Sequence, residues 1–204
     1  MVTNEKFEQL KNYYKQLLPN LSEEGWKFTE SLLTVKMVKK RDFIVREGSV
    51  CNYVSFINSG LVRMYCVVDG KERILSFCNE TNYISDYQSF LTRKPSLINI
   101  QALENTELVE TNYDGLQLLY KKVPEANLLG RLIAEQLFVM AYDGSIIEMS
   151  DSIEMRYNKL INELPWLLQR VPQYMIASYL GITPEALSRI KARKSKPKQV
   201  LIHV

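Results

Sequence analysis

The chain has 204 residues, 46% of them hydrophobic and 24% charged, with a net charge of +3. That composition provides a packed core, and no apolar run is long enough to cross a bilayer. A single histidine, His203, and three scattered cysteines, Cys51, Cys66 and Cys78, argue against Ser-His hydrolases, His-ligated zinc enzymes, metal-binding cupins, haem and iron–sulfur clusters.

The cysteines read as small buried residues on strands. The polar N-terminus, Met1 to Lys6, has no signal-peptide core, so a cytoplasmic protein is expected. The charge is unevenly divided. After residue 150 there are nine Lys and Arg against four Asp and Glu, while the first 150 residues hold 17 against 19. A basic end on a neutral body is what a polyanion-binding module requires.

In chain order, residues 4–18 have the spacing of an amphipathic helix, with Phe7, Leu10, Tyr14 and Leu17 on one face. A second helix is expected over 21–33, with Ser22 as its N-cap. The pattern then turns to strands at 42–45, 53–57 and 61–68, separated by Gly48 and by Asn58-Ser59-Gly60. Asp69-Gly70 between strand-like runs is the preferred loop of a type I′ hairpin, returning over 73–78. Further short strands are expected at 82–85, 97–103 and 107–112. Many short strands with frequent turns predict an antiparallel β-roll or jelly roll.

Helices follow. A short one covers 114–123, and a long one covers 125–149. The long helix carries two apolar stripes. One holds Leu128, Leu132, Val139, Tyr142, Ile146 and Met149; the other holds Leu129, Ile133, Leu137, Met140 and Ile147. Two stripes imply burial on two sides. A second copy of the helix would supply one side, and a helix wedged between domains of one chain is the alternative. A further helix over 155–168 is kinked or ended near Pro165.

Residues 172–193 carry the most specific pattern. Ile176 and Leu180 line the inner face of a short helix, and Ala177 is small where a second helix crosses. Gly181 takes a turn with positive φ, and Ile182 plugs the corner. Thr183 caps the second helix, whose first position suits Pro184. Leu187 and Ile190 face inward. Glu185, Ser188, Arg189, Ala192 and Arg193 are left outward, a composition suited to a DNA major groove. Between Arg189 and Lys198 lie six basic residues and no acidic one, available to neutralise phosphates.

This constellation resembles the Crp/Fnr transcription regulators over nearly the whole chain, about 38 to 193. The likeness rests on Arg46-Glu47-Gly48, on Phe56 to Arg63, on Asp69 to Phe77, and on the helix-turn-helix. It implies an α+β fold: a cyclic-nucleotide-binding-like roll with N-terminal helices over 1–124, a dimerisation helix over 125–150, and a helix-turn-helix domain over 151–204. It also implies a homodimer that is not an enzyme. Its partners would be duplex DNA, RNA polymerase and a small effector, without a membrane.

By the resemblance, Arg189 pairs with a guanine edge and Glu185 accepts from a cytosine amine, with Ser188 beside them. Gln173, Tyr174, Thr183, Arg193 and Lys194 would meet phosphates. Pro184 replaces the family's arginine, so a different target sequence is expected. The β-wing that normally follows would be rudimentary in 199–204.

The effector pocket implied by the resemblance comprises Ser85, Asp86, Tyr87, Ser96, Leu97 and Tyr142. The Gly-Glu and Arg-Ser pairs of cyclic-AMP binders are here Ser85-Asp86 and Ser96-Leu97. A buried phosphate would lack its charge-assisted partner. The residues that read adenine are here Ala141-Tyr142. Cyclic AMP is therefore not expected, and the effector is left open. A sensor module that acts through a protein partner instead of DNA is the competing reading.

Overall fold

The computed structural model describes residues 5–195, apart from the side chains of Glu148, Lys194 and Ser195. His203, Lys196, Lys198 and the proposed wing at 199–204 lie outside them.

Eight strands form the roll: β1 (Thr34–Val38), β2 (Phe43–Val45), β3 (Tyr53–Ser59), β4 (Val62–Val68), β5 (Lys71–Cys78), β6 (Tyr83–Ile84), β7 (Asn99–Ala102) and β8 (Thr106–Asn112). They make two antiparallel sheets, ordered β1-β8-β3-β6 and β2-β7-β4-β5. The hairpin between β4 and β5 turns at Asp69 and Gly70, both at positive φ (51° and 71°), as a type I′ loop demands.

Ile57, Ile84 and Leu108 of the first sheet meet Val62, Ile100 and Ala102 of the second in one core. Burying such side chains contributes about 1.5–3 kcal/mol each. Strand β3 is buried on both faces. Ile57 points into the roll, while its neighbour Phe56 joins Val109 beneath the N-terminal helices. A strand covered on both sides reads as a continuous apolar run instead of an alternation.

Helix α1 (Glu8–Leu17) and helix α2 (Glu23–Ser31) cover that outer face through Phe7, Leu10, Tyr14 and Trp26. Ser22 caps α2 by accepting from the Gly25 amide at 3.0 Å. Strand β1 and helix α3 (Tyr87–Thr92) are additions to the sequence expectation. The cysteine expectation is corrected in part. Cys51 is buried but sits in a loop, and Cys66 and Cys78 are on strands but half-buried. Burial pushes the Cys78 thiol up.

Helix α4 (Tyr113–Lys122) leads into the 27-residue α5 (Pro124–Ser150). The two cross closely at Gly130, where a Cβ would stand 2.5 Å from the Tyr120 hydroxyl. Leu129 and Ile133 pack on the roll. The rest of the second expected stripe does not follow them, since Leu137 and Met140 remain exposed. The roll ends where the helix continues past it. Helix α6 (Ile153–Glu163) stops before Pro165, so the expected 155–168 helix is divided, and α7 (Leu167–Arg170) follows. Among the described residues no helix is long and apolar enough to cross a membrane.

Candidate nucleic-acid interface

The C-terminal pair is α8 (Gln173–Tyr179) and α9 (Pro184–Ser195). Gly181 joins them at φ 71°, a conformation that glycine adopts without steric cost. Thr183 closes the turn by accepting from the Ala186 amide at 3.3 Å, and Pro184 opens α9. Ile176, Ala177, Leu180, Leu187 and Ile190 are buried together. These anchors fix the rotation of α9 about its axis and leave Glu185, Ser188, Arg189, Ala192 and Arg193 exposed on one outward face.

Glu185 sits in the first turn of α9. Its own backbone amide, the Thr183 side chain and the nearby Arg189 charge hold its carboxyl below the usual range. It is therefore an ionised acceptor at neutral pH, four residues before a guanidinium on the same helix.

The expected phosphate contacts divide. Tyr174 is 55% exposed. Gln173 accepts from Lys191 Nζ at 2.9 Å, tying the start of α8 to α9. Arg193 pairs with Glu154 of α6 at 2.9 Å, an exposed contact of the kind that contributes at most about 1 kcal/mol. Thr183 is engaged as a cap. Lys194 belongs to α9, but its side chain lies outside the described ones.

In the sensor half, Ser96 donates to Asp86 Oδ2 at 2.6 Å and accepts from the Ile98 amide at 3.2 Å. Asp86 Oδ1 caps α3 by accepting from the Ser89 amide at 3.1 Å. Ser85 donates to the Tyr53 carbonyl at 3.1 Å. Tyr87 stacks on Phe90, and the nearby Tyr120 hydroxyl is pushed up to about 12, chiefly by burial. Asp86 and Ser96 are thus brought together. Leu97 and Tyr142 are not part of that cluster. Leu97 is 69% exposed, and Tyr142 is 60% exposed with its ring on Phe138. A cavity of about 120 Å³ at the roll mouth is lined by Lys36, Cys51, Ser55 and Glu110, and of the expected residues it includes only Ser85.

Sequence reasoning missed how the helix-turn-helix sits on the roll. Tyr157, Leu167, Val171 and Met175 share a buried cluster with Leu61, just before β4, and with Tyr65, Ile74 and Phe77 of the second sheet. Ser178 of α8 donates to the Glu72 carbonyl at 2.9 Å and accepts from the Ile74 amide at 3.3 Å, extending along β5. Arg170 forks between two loops of the roll. It donates to Glu80 at 2.8 and 2.9 Å and to Glu104 at 2.7 and 3.0 Å. Glu80 also accepts from the Gly60 amide at 3.0 Å. The Arg170 guanidinium holds the Glu80 carboxyl down to about 2. The partners of Arg170 are 66 and 90 residues away in sequence, so no local pattern reveals them.

Residues 35–122 match the family of cyclic nucleotide-binding domains, which with the two-sheet roll defines this segment as a domain of that class. Comparison of the sequence with curated proteins gives no match. Among solved structures, FixK2 from Bradyrhizobium japonicum is similar at a TM-score of 0.68 and 17% identity, over 79% of this chain and 83% of that one. The c-di-GMP-responsive global regulator CLP of Xanthomonas campestris has a TM-score of 0.66 and 16% identity, over 85% and 91%. The catabolite activator protein of Thermus thermophilus has a TM-score of 0.54 and 20% identity, over 87% and 85%. The roll, the long helix and the terminal helix pair together give the chain the same fold as these structures.

Proposed function

We propose that this protein is a homodimeric transcription regulator that reads a pseudo-palindromic DNA site with α9. The observation that carries the reading is the register of α9: Leu187 and Ile190 are buried while Glu185, Ser188 and Arg189 are exposed together. Arg189 would donate to the acceptor edge of a guanine, and the ionised Glu185 would accept from a cytosine amine, two contacts with distinct donor and acceptor patterns. Ser188 would adjust to either. Tyr174 and Gln173 at the start of α8, with Arg193 and Lys194, would hold flanking phosphates and set the register.

The uncovered face of α5 supports a two-fold assembly. Phe138, Val139, Tyr142, Ile146 and Met149 are exposed there, Phe138 at 71% and Met149 at 86%. A second copy of the helix would bury that stripe together with the half-buried Leu132. Two reading helices would then fall about 34 Å apart, one turn of DNA. In the sensor, Asp86 and Ser96, at the places where the resemblance puts a ribose partner and a phosphate partner, satisfy one another, so an effector other than cyclic AMP is proposed.

The test is a fluorescence titration of the protein against DNA from upstream of its own coding region. Arg189→Ala should weaken binding by about 1–3 kcal/mol and relax preference at one base pair of each half-site. Unchanged affinity for Arg189→Ala would overturn the assignment.

A further inference from the structure

We propose that Arg170 is a positioning residue for DNA reading: its fork between Glu80 and Glu104 fixes the attitude of the helix-turn-helix on the sensor roll and so sets the spacing of half-sites the dimer accepts. This rests on the DNA-reading function proposed above.

The module is attached to the rest of the protein first through the chain itself. Its chain connection to α5 is short, Asp151 and Ser152 between two helices. Two kinds of contact then hold it against β4 and β5. One is the apolar patch of Tyr65, Ile74 and Phe77 with Leu167, Val171 and Met175. Apolar burial is non-directional and tolerates sliding and rotation. The other is polar and directional. Four hydrogen bonds of 2.7 to 3.0 Å leave one guanidinium for two carboxylates, and Ser178 bonds the β5 backbone in both directions. The planar fork of arginine specifies orientation as well as distance.

One of the two carboxylates is held in turn by the roll: Glu80 accepts from the Gly60 amide, while Glu104 lies in the short connection between β7 and β8. Glu72, whose carbonyl receives Ser178, is itself clamped by Arg63 at 2.6 and 3.0 Å. The contacts at Glu80 and Glu72 therefore end on parts of the sensor that have their own support.

The docked arrangement leaves Glu185, Ser188 and Arg189 exposed. Docking does not mask the reading face; it aims it. The lever is long enough to matter. Helix α6 has 11 residues, about 16 Å at 1.5 Å per residue. A rotation of about 10° over that length displaces the far end by about 3 Å, close to the rise of one base pair.

The experiment compares the full-length protein with Arg170→Ala and Arg170→Lys on three DNAs: a two-half-site operator at native spacing, the same operator with one base pair inserted, and a single half-site. Hydrogen exchange at the Ile74 amide reads the docked contact without DNA. For Arg170→Ala we expect affinity for the native operator to fall by tenfold or more. The penalty for the inserted base pair should shrink, single-half-site binding should stay within twofold, and Ile74 exchange should speed up. Arg170→Lys, which keeps the charge and loses the fork, should recover only part of the spacing preference.

Unchanged Ile74 exchange in Arg170→Ala would overturn the proposal. So would faster exchange with an unaltered spacing preference, or tighter operator binding, which would mean that docking inhibits reading. A wild-type protein that binds none of the three DNAs would overturn the proposed function instead, while the exchange data would still decide whether Arg170 holds the module.

Discussion

Ser96 donates its hydroxyl proton to Asp86 at 2.6 Å, and both side chains are buried. In this chain the loop after α3 is tied back to the start of that helix through a neutral donor and a carboxylate, with Asp86 also capping the helix. Replacing Ser96 by Ala should leave a buried carboxylate oxygen without its partner and lower stability by about 1–3 kcal/mol, read from urea unfolding. Calorimetric titration of the wild-type protein with cyclic AMP should give no binding heat; a saturable one would contradict the proposed choice of effector.

The turn and the anchor of the helix pair should respond differently. Gly181 is at φ 71° with open space around the position of a Cβ, so Gly181→Ala should cost only backbone strain, about 1–2 kcal/mol. Leu187 is 1% exposed, and Leu187→Ala should cost about 2–5 kcal/mol through the cavity it leaves. Thermal melts of both variants check the order, and the reverse order would refute the packing described for α9.

Acid should loosen the docked module before the roll core fails. The Glu80 carboxyl is held down to about 2 from an ordinary value of 4.5 by Arg170. Its folded-state pKa is depressed, so its contribution is complete above about 4.5 and is lost as pH falls through about 2. Trp166 lies 5.9 Å from the Arg170 guanidinium and reports the contact in a Trp26→Phe background. Its emission should shift across that window, and Glu80→Gln should show the shifted emission already at neutral pH.

The exposed stripe of α5 makes a prediction about assembly. Val139→Asp places a charge where the proposed partner helix would pack, and an unpaired buried charge is strongly unfavourable. Size-exclusion chromatography with light scattering should show a monomer for this variant and a dimer for the parent. Circular dichroism should be preserved in both, since Val139 is exposed within one chain.

What the sequence made legible follows the range over which each signal acts. The Asp69-Gly70 hairpin, the Ser22 cap and the Thr183-Pro184 helix start are set by neighbours within a few residues, and all three stand as expected. The inward and outward residues of α9 were readable for the same reason. Strand β1 gives no clear local signal because Lys36 interrupts its apolar pattern and, among the described residues, its strand partner is β8, some 70 residues later. Helix α3 is not legible in the sequence because its N-cap, Asp86, is an acidic side chain that suits a pocket equally well. The Arg170 fork was invisible because charge composition does not say which carboxylate a guanidinium will meet.

Strand β5 forms one side of its sheet, and Ser178 of α8 bonds its backbone at Glu72 and Ile74. An open strand side is a template for foreign chains to add on. By occupying it at Glu72 and Ile74, the helix pair would act as a guard against self-association in addition to its proposed role in reading DNA. Any state in which the pair swings away for long would leave sticky backbone behind, which sets a practical ceiling on how freely such a protein can let go of its own sensor.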